Sequence, residues 1–433
     1  MGVRPVRRVQ LIRRPGGPNV VDIASPEIYE RRGIPHEEFA RLRREAPVSW
    51  HEWDCSHGGF WSVTTREDVT TVTRDRHRFT SAEFTNLFEL SPEAKQARRS
   101  LIDTDGPEHT RLRRLVTPPF TMRRVADYDT ITRRITNGLL DAMLEAASGG
   151  TPIDVVRLLS EPLPIQVIVT ILGVPSDDAD YMVELSNQLV EGTSHREIDP
   201  HAYGNTTPLD LLPFNSPASH ALFEYGRRLH DERSAAPADD LVSRLVHAEI
   251  DGDRLTDQEF CNFFQLLVFA GNETTRTAIS QGLHQLMRHP DQQERLHADP
   301  SLIPNAVEEI IRCATPVLHM RRTATTDTEL HGVPIREGDW VVMWYASSNF
   351  DETVWADPLG FDVGRDPKPD HTSFGTFGPH HCLGAPLARL EIRLLLEEIV
   401  RRGIRFEAAG EPVRVASNFV HGVLELPGTV RAG

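Results

Sequence analysis

One segment concentrates reactive groups: Phe374-Gly375-Thr376-Phe377-Gly378-Pro379-His380-His381-Cys382-Leu383-Gly384-Ala385. Its glycines and proline read as a loop that delivers Cys382 to the first turn of a following apolar helix. Backbone N–H groups at a helix start stabilise negative charge and lower a thiol pKa, so Cys382 is expected to be poised as a thiolate. Such a thiolate could be a nucleophile, a zinc ligand or a haem ligand. Zinc wants further Cys or His at ligand spacing; His371, His380 and His381 are near, but no CxxC is present. A nucleophile wants a base and oxyanion donors, and nothing in the sequence nominates them. The plain alternative is a buried cysteine at a helix start.

Three other groupings carry chemistry. Ala270-Gly271-Asn272-Glu273-Thr274-Thr275 places an acid beside two hydroxyls inside a long apolar stretch, where a carboxylate is costly unless exposed or used. Thr274 can bond back to the i−4 carbonyl, and Gly271 permits close approach to the backbone. Glu309 and Arg312 stand at i, i+3 on one helix face. His109 and Arg113 stand at i, i+4, either a solvated basic stripe or an anion clamp.

The elements that must position these residues are helical after residue 100. Periodicity predicts helices over 128–146, 162–172, 177–190 and 219–230. The clearest runs from Asp257 to Arg288, opened by the capping box Thr256-Asp257-Gln258-Glu259 and stopped at His289-Pro290. Another runs from Leu383 or Ala385 to about Arg402, ending at Gly403. Val333 to Tyr345 reads as a small hairpin around Gly338-Asp339, 349–369 as loop, and the Pro-, Asn- and Ser-rich 195–217 segment as a lid.

The 433 residues carry 47 basic and 63 acidic side chains, a formal charge of −16. That balance argues against a general nucleic-acid or anionic-membrane surface. No apolar run reaches the roughly 20 residues of a membrane span. Four scattered cysteines, Cys55, Cys261, Cys313 and Cys382, read as reduced thiols. The expectation is a soluble, cytoplasmic, monomeric protein: an N-terminal arm over 1–18, then one domain over 19–433.

Taken in order, Glu273-Thr274 in a long central helix, then Glu309/Arg312, then the Phe374…Cys382-Leu383-Gly384 loop resemble a cytochrome P450, a family of haem-thiolate enzymes. The resemblance runs from Pro35-His36-Glu37-Glu38-Phe39 through Asp105-Gly106-Pro107-Glu108-His109-Thr110-Arg111 to the C-terminal tail. It implies a mainly α fold with small β-sheets, a triangular helical prism around a buried haem b. It implies Cys382 as the iron ligand, with Phe374 beside the sulfur. His109, Arg113, Arg322 and His380 match the propionate-holding positions. Ala270 and Gly271 would border the haem, and Glu273 and Thr274 match the proton-delivering pair. Glu309 and Arg312 would form a buried fork with Arg365. The chain departs from the commonest pattern in placing Phe374 eight residues before Cys382, in Phe377 within that loop, in Phe350 after Asn349, and in Pro386 and Pro118-Pro119.

The implied function is a monooxygenase acting on a lipophilic substrate: a sterol, a terpenoid or a natural-product intermediate. Asn272-Glu273-Thr274-Thr275-Arg276, Met320 to Ala324 and Ser417 to Gly422 are similar to enzymes that oxidise sterol side chains and terpenoids. Phe263, Phe264, Leu267, Val268, Ala270, Val317 and Leu318 are candidate pocket residues. With no fused reductase, electrons would come from a ferredoxin or flavodoxin with its reductase, landing on Arg389, Arg393, Arg401 and Arg402. The alternatives are a haem-thiolate sensor, which has no need of Glu273-Thr274, and a peroxide-driven oxidase.

Overall fold

The computed structural model describes residues 22–192, 198–376 and 378–433. The expected arm over 1–18, Phe377 and the first residues of the 195–217 segment lie outside them. The architecture is mainly α with small sheets, as expected, and it is organised on one helix. Asp257–Arg288 keeps the boundaries its capping box dictates: the Thr256 hydroxyl accepts from the Glu259 N–H, and the Glu259 carboxylate accepts from the Thr256 N–H. Its 32 residues span about 48 Å. Twenty-two of its 32 residues are buried, so it runs through the protein rather than over it.

Its neighbours pack closely. A side chain at Gly282 would meet Ile310 Cγ2 at 2.6 Å, so only glycine lets the helix Ile303–Ala314 cross there. Pro162–Leu172, bounded by Pro162 and by Gly173 at φ 80°, is buried along most of its length. The remaining expected helices shift by a few residues: Asp129–Ala147, Ala179–Gly192 and Ala218–Ala235. Ala385–Arg401 follows the cysteine loop, with Pro386 in its first turn, where a missing N–H costs nothing.

The main sheet has five strands, in the order Val48–Glu52, Gly59–Val63, Trp340–Trp344, His319–Ala324, Phe79–Thr80. Only the pairing of Gly59–Val63 with Trp340–Trp344 is parallel. A three-stranded sheet joins Ile153–Asp154, Pro427–Arg431 and Arg405–Ala408.

The expected hairpin over 333–345 does not form. Val333–Ile335 pairs with Thr328–Leu330 across His331-Gly332, whose φ values of 52° and 76° suit a two-residue turn of the primed type. Trp340–Trp344 is buried throughout and lies between two strands of the main sheet. An all-apolar strand needs cover on both faces, which a solvent-exposed hairpin does not supply.

Candidate functional site

The loop before Ala385–Arg401 folds back on itself: the Cys382 N–H donates to Phe374 O at 2.8 Å. This places Phe374 next to the cysteine despite the long loop. The Phe374 ring packs under the Arg389 guanidinium, 4.5 Å away. The Cys382 side chain is accessible, yet it lies deep enough that burial raises its thiol pKa, against the Gly384 and Ala385 N–H groups and the Arg113 charge. The helix start therefore does not by itself make a thiolate, as the sequence suggested; desolvation outweighs it.

Beside the cysteine, side chains from three distant segments converge. The His109 and His380 rings are 4.3 Å apart. Arg113 donates to His381 O at 2.7 Å, and Arg322 donates to Arg321 O at 2.8 Å. Arg322 is 5% exposed and His109 Nε2 is buried without a partner. Burial, followed by the His380 and Arg113 charges, pushes His109 down to about 4, so it is a neutral donor rather than the cation the sequence suggested. A counter-charge in the cluster is Asp105, which accepts from His380 at 3.0 Å and from Thr80 and the Ser81 N–H at 2.5 Å each; the buried Asp103 also faces Arg322. Burial pushes Asp105 up, but these donors win and hold it at about 2. Sequence reasoning passed over Asp105. It stands at the N-cap position of the Gly106–Val116 helix, yet its side chain makes no capping bond there.

On the central helix, the acid and the hydroxyl face different ways. Glu273 is 2% exposed. Its Oε1 lies 3.0 Å from where a side chain at Gly422 would begin, and its Oε2 lies 3.8 Å from Arg276 Nη1. Burial raises its pKa and Arg276 opposes the rise. Thr274 donates to Ala270 O at 2.7 Å. The helix continues unbroken through this point.

Ala270 is exposed although mid-helix, and Leu266 and Thr274 are half-buried, so steps of four residues make one accessible stripe. Gly271 is turned elsewhere: a side chain there would meet Ile168 at 3.4 Å. The room beside Gly271 is filled by a neighbouring helix, and the accessible face belongs to Ala270.

The candidate pocket residues divide in the same way. Phe264 packs on Gly226 and Tyr225, and Phe263, Leu267 and Val268 belong to the core. Leu318 is core as well, while Val317 is half-buried. Sequence reasoning missed Leu266 on the stripe; Phe269, buried in the same core, meets the half-buried Phe214 ring at 3.9 Å.

The Glu309–Arg312 fork is fully buried and bidentate at 2.7 and 2.8 Å, and Arg365 Nε joins Glu309 at 3.0 Å, as expected. The proposed landing arginines are all engaged in ion pairs: Arg389 with Glu308, Arg393 with Glu397 and Asp129, Arg401 with Glu398, and Arg402 with Asp141.

The profile of the cytochrome P450 family matches residues 15–408. A methyl-branched lipid omega-hydroxylase of Mycobacterium tuberculosis is 38% identical over 397 residues, covering 90% of each chain. A steroid C26-monooxygenase of Rhodococcus jostii is 37% identical over 425 residues, covering 96% of this chain and 85% of that one. A Mycobacterium marinum cytochrome P450 solved with pseudoionone superposes with a TM-score of 0.83 at 37% identity, covering 94% of this chain and 98% of the other. The long acid-bearing helix, the buried Glu-x-x-Arg fork and the accessible cysteine are thus parts of one inherited scaffold, and the chain belongs to the cytochrome P450 family of haem-thiolate monooxygenases.

Proposed function

We propose that this monooxygenase hydroxylates the terminal carbon of a methyl-branched aliphatic chain carried by a lipid or steroid, using haem b and electrons from a ferredoxin or flavodoxin with its reductase, in the cytoplasm. The observation that carries the reading is the accessible Cys382 thiol beside the buried Arg322, the half-buried Arg113 and the buried, unpartnered His109 Nε2. Haem presents an iron for the thiolate and two carboxylates for the cations, so the residues present fit it. Cys382 would ligate the iron; His109, Arg113, Arg322 and His380 would hold the propionates through charge-assisted and neutral N–H donors. When bound, the haem supplies O2 activation and transfer of one oxygen atom into a C–H bond.

The chain supplies placement. The Leu266–Ala270–Thr274 stripe offers hydrocarbon with one hydroxyl. Phe214 on Phe269 adds aromatic surface, suited to an aliphatic chain end rather than a charged head. The named positions of the two relatives, omega and C26, are both chain ends. Thr274 would offer its hydroxyl to the reacting oxygen, and Glu273 would bring in protons. One catalytic domain over 19–433 is supported by sheets that join distant parts of the chain, such as Ile153–Asp154 with Pro427–Arg431.

The test uses the reconstituted holoenzyme with a fatty acid ending in an isopropyl group and with cholesterol. Formation of the terminal alcohol from either supports the reading. Oxygen placed only at internal carbons, or no spectral response to any lipophilic compound, overturns the substrate class. Loss of the thiolate-type ferrous–CO spectrum in Cys382→Ala tests the ligand separately.

A further inference from the structure

The Glu273 carboxyl is not isolated in the core. Arg276, one turn along the same helix, places Nη1 3.8 Å from Glu273 Oε2 and 3.4 Å from Glu161 Oε1. One guanidinium therefore serves two carboxylates. Asn187 completes the arrangement: its Nδ2 donates to Glu161 Oε1 at 2.9 Å, and its Oδ1 accepts from Arg276 Nη1 at 3.3 Å.

The three side chains come from three elements. Arg276 is on the central helix and Asn187 on Ala179–Gly192. Glu161 directly follows a π-helical turn, Val156–Ser160, and stands just before the Pro162–Leu172 helix. Accessibility rises along the row, from 2% at Glu273 through 9% at Arg276 to 21% at Glu161. At the inner end, polar capacity is unspent: Glu273 Oε2, Arg276 Nε and Asn272 Oδ1 are buried without hydrogen-bond partners. Buried polar groups without partners are uncommon in native proteins, and a cluster of them beside a reacting centre is where a functional role is expected.

We propose that Glu161 is a positioning residue for the reaction: by competing with Glu273 for Arg276, it frees the Glu273 carboxyl to collect protons and carry them to the Thr274 side. The step is an exchange of ion pairs. The Arg276–Glu273 contact loosens as Arg276–Glu161 tightens, no covalent bond changes, and the proton that Glu273 carries comes from solvent water. The observed distances favour Glu161, so the structure shows the arm in which Glu273 is least held. Asn187 keeps Glu161 and Arg276 in register.

This rests on the reading that Glu273 delivers protons, and the experiment separates the two ideas. Glu161→Gln, Glu273→Gln, the double variant and Asn187→Leu are reconstituted as holoenzymes with a surrogate ferredoxin and reductase, NADPH and the isopropyl-ended fatty acid. Glu161→Gln leaves Arg276 wholly to Glu273, so kcat falls by about fivefold, well below the loss expected for a removed general acid. KM stays within about twofold, the solvent isotope effect on kcat rises, and product formed per NADPH is unchanged. Asn187→Leu moves kcat and the isotope effect in the same direction. The double variant turns over no more slowly than Glu273→Gln alone, because both act on one path. If Glu273→Gln is slow while Glu161→Gln and Asn187→Leu match the wild type in kcat and isotope effect, or if the two carboxylate losses multiply, Glu161 has no such role. If Glu273→Gln itself matches the wild type, the proton-delivery reading fails and takes this inference with it.

Discussion

Thr274 spends its hydroxyl on the carbonyl of Ala270, an i−4 back-bond that satisfies the helix and parks the hydrogen. Its oxygen keeps accepting capacity on the accessible stripe, so the side chain can serve the reaction without leaving the helix. Thr274→Ala is therefore expected to bind substrate as the wild type does and to consume NADPH, but to divert most of the reducing equivalents to hydrogen peroxide. The ratio of product to NADPH, with peroxide measured in parallel, checks this; an unchanged ratio makes Thr274 structural. The cationic cluster gives a second expectation. Arg322 is buried and donates to the Arg321 carbonyl. Its loss in Arg322→Leu removes a charge-assisted bond of about 1.5–3 kcal/mol, so haem should dissociate more readily on dilution while the helical circular dichroism is retained. At this scale type and spacing singled out Cys382, Glu273 and Thr274 as candidates, while the choice for Cys382 between nucleophile, zinc ligand and haem ligand came only with the family resemblance. The sequence was silent on which way a side chain turns. Gly271 and Ala270 are neighbours in sequence, yet Ile168 covers one and leaves the other accessible. Asp105 was hidden because its partners Thr80, Ser81 and His380 come from elsewhere in the chain.

Between elements, ion pairs act as clamps whose strength depends on pH. Glu308, on Ile303–Ala314, accepts from Arg389 of Ala385–Arg401 at 2.6 and 2.8 Å and faces His371 at 3.3 Å. Burial pushes its carboxyl up, but the Arg389 and His371 bonds win and hold it at about 2, below its ordinary 4.5. A group whose folded-state pKa is depressed stabilises the protein above its unfolded-state pKa and loses that contribution as pH falls towards the folded one. The window is thus about pH 4.5 down to 2, and the contribution, discounted for the partial exposure of Arg389, is about 1–2 kcal/mol. Glu308→Gln should lower stability near neutral pH by that amount and flatten the acid limb of a urea-midpoint profile; an unchanged limb refutes the clamp. A different tie holds the strap over 209–215. Arg98 is 5% exposed and donates to Asp210 O and Asn215 Oδ1 at 2.6 Å each, and more weakly to Leu209 O. Phe214 and Asn215 adopt left-handed φ values of 59° and 51°, which side-chain-bearing residues adopt only when held. Arg98→Met is expected to speed amide hydrogen exchange over 205–216 while the central helix stays protected; uniform exchange across both would show that Arg98 holds nothing in particular. Elements with local signals were legible in the sequence: the Thr256–Glu259 box fixed one helix end, Pro162 and Gly173 another. Trp340–Trp344 was misassigned because its partners, Gly59–Val63 and His319–Ala324, are not its sequence neighbours, and strand pairing is decided by burial rather than adjacency.

For the whole molecule, the formal charge of −16 opposes approach of an acidic electron carrier, so docking needs a local field of the other sign. Arginines on and near the Ala385–Arg401 helix do not supply it, since Arg389, Arg393, Arg401 and Arg402 are each neutralised by carboxylates. The arginine-rich surface lies beside them. A groove of about 570 Å³ is lined by Arg113, Arg114, Arg123, Arg124, Thr117 and Ile250 among others, and its charge is only partly neutralised, Arg114 by Asp251 at 2.9 Å and Arg124 by Asp127 at 3.5 Å. Met122, between the lining residues Thr121 and Arg123, is 81% exposed, an apolar side chain amid charge. The groove also leads inward: Arg113 forms part of its wall and donates to the carbonyl of His381, the residue before Cys382. An acidic ferredoxin or flavodoxin seated there would stand one residue's depth from the cysteine. Rim charges act mainly on encounter rate and are screened beyond a Debye length of about 10 Å at 0.1 M salt. The double reversal Arg123→Glu/Arg124→Glu should therefore raise the KM for the electron carrier by about tenfold at low ionic strength, and the difference should shrink towards the wild-type value as salt is added. The KM for the lipophilic substrate and the ferrous–CO spectrum should not move. Arg401→Glu, which removes an arginine already neutralised by Glu398, serves as the comparison and should change the carrier KM by less than about twofold. If Arg401→Glu weakens the carrier and the double reversal does not, the carrier docks on the cysteine helix after all, and the ion pairs there must open to receive it.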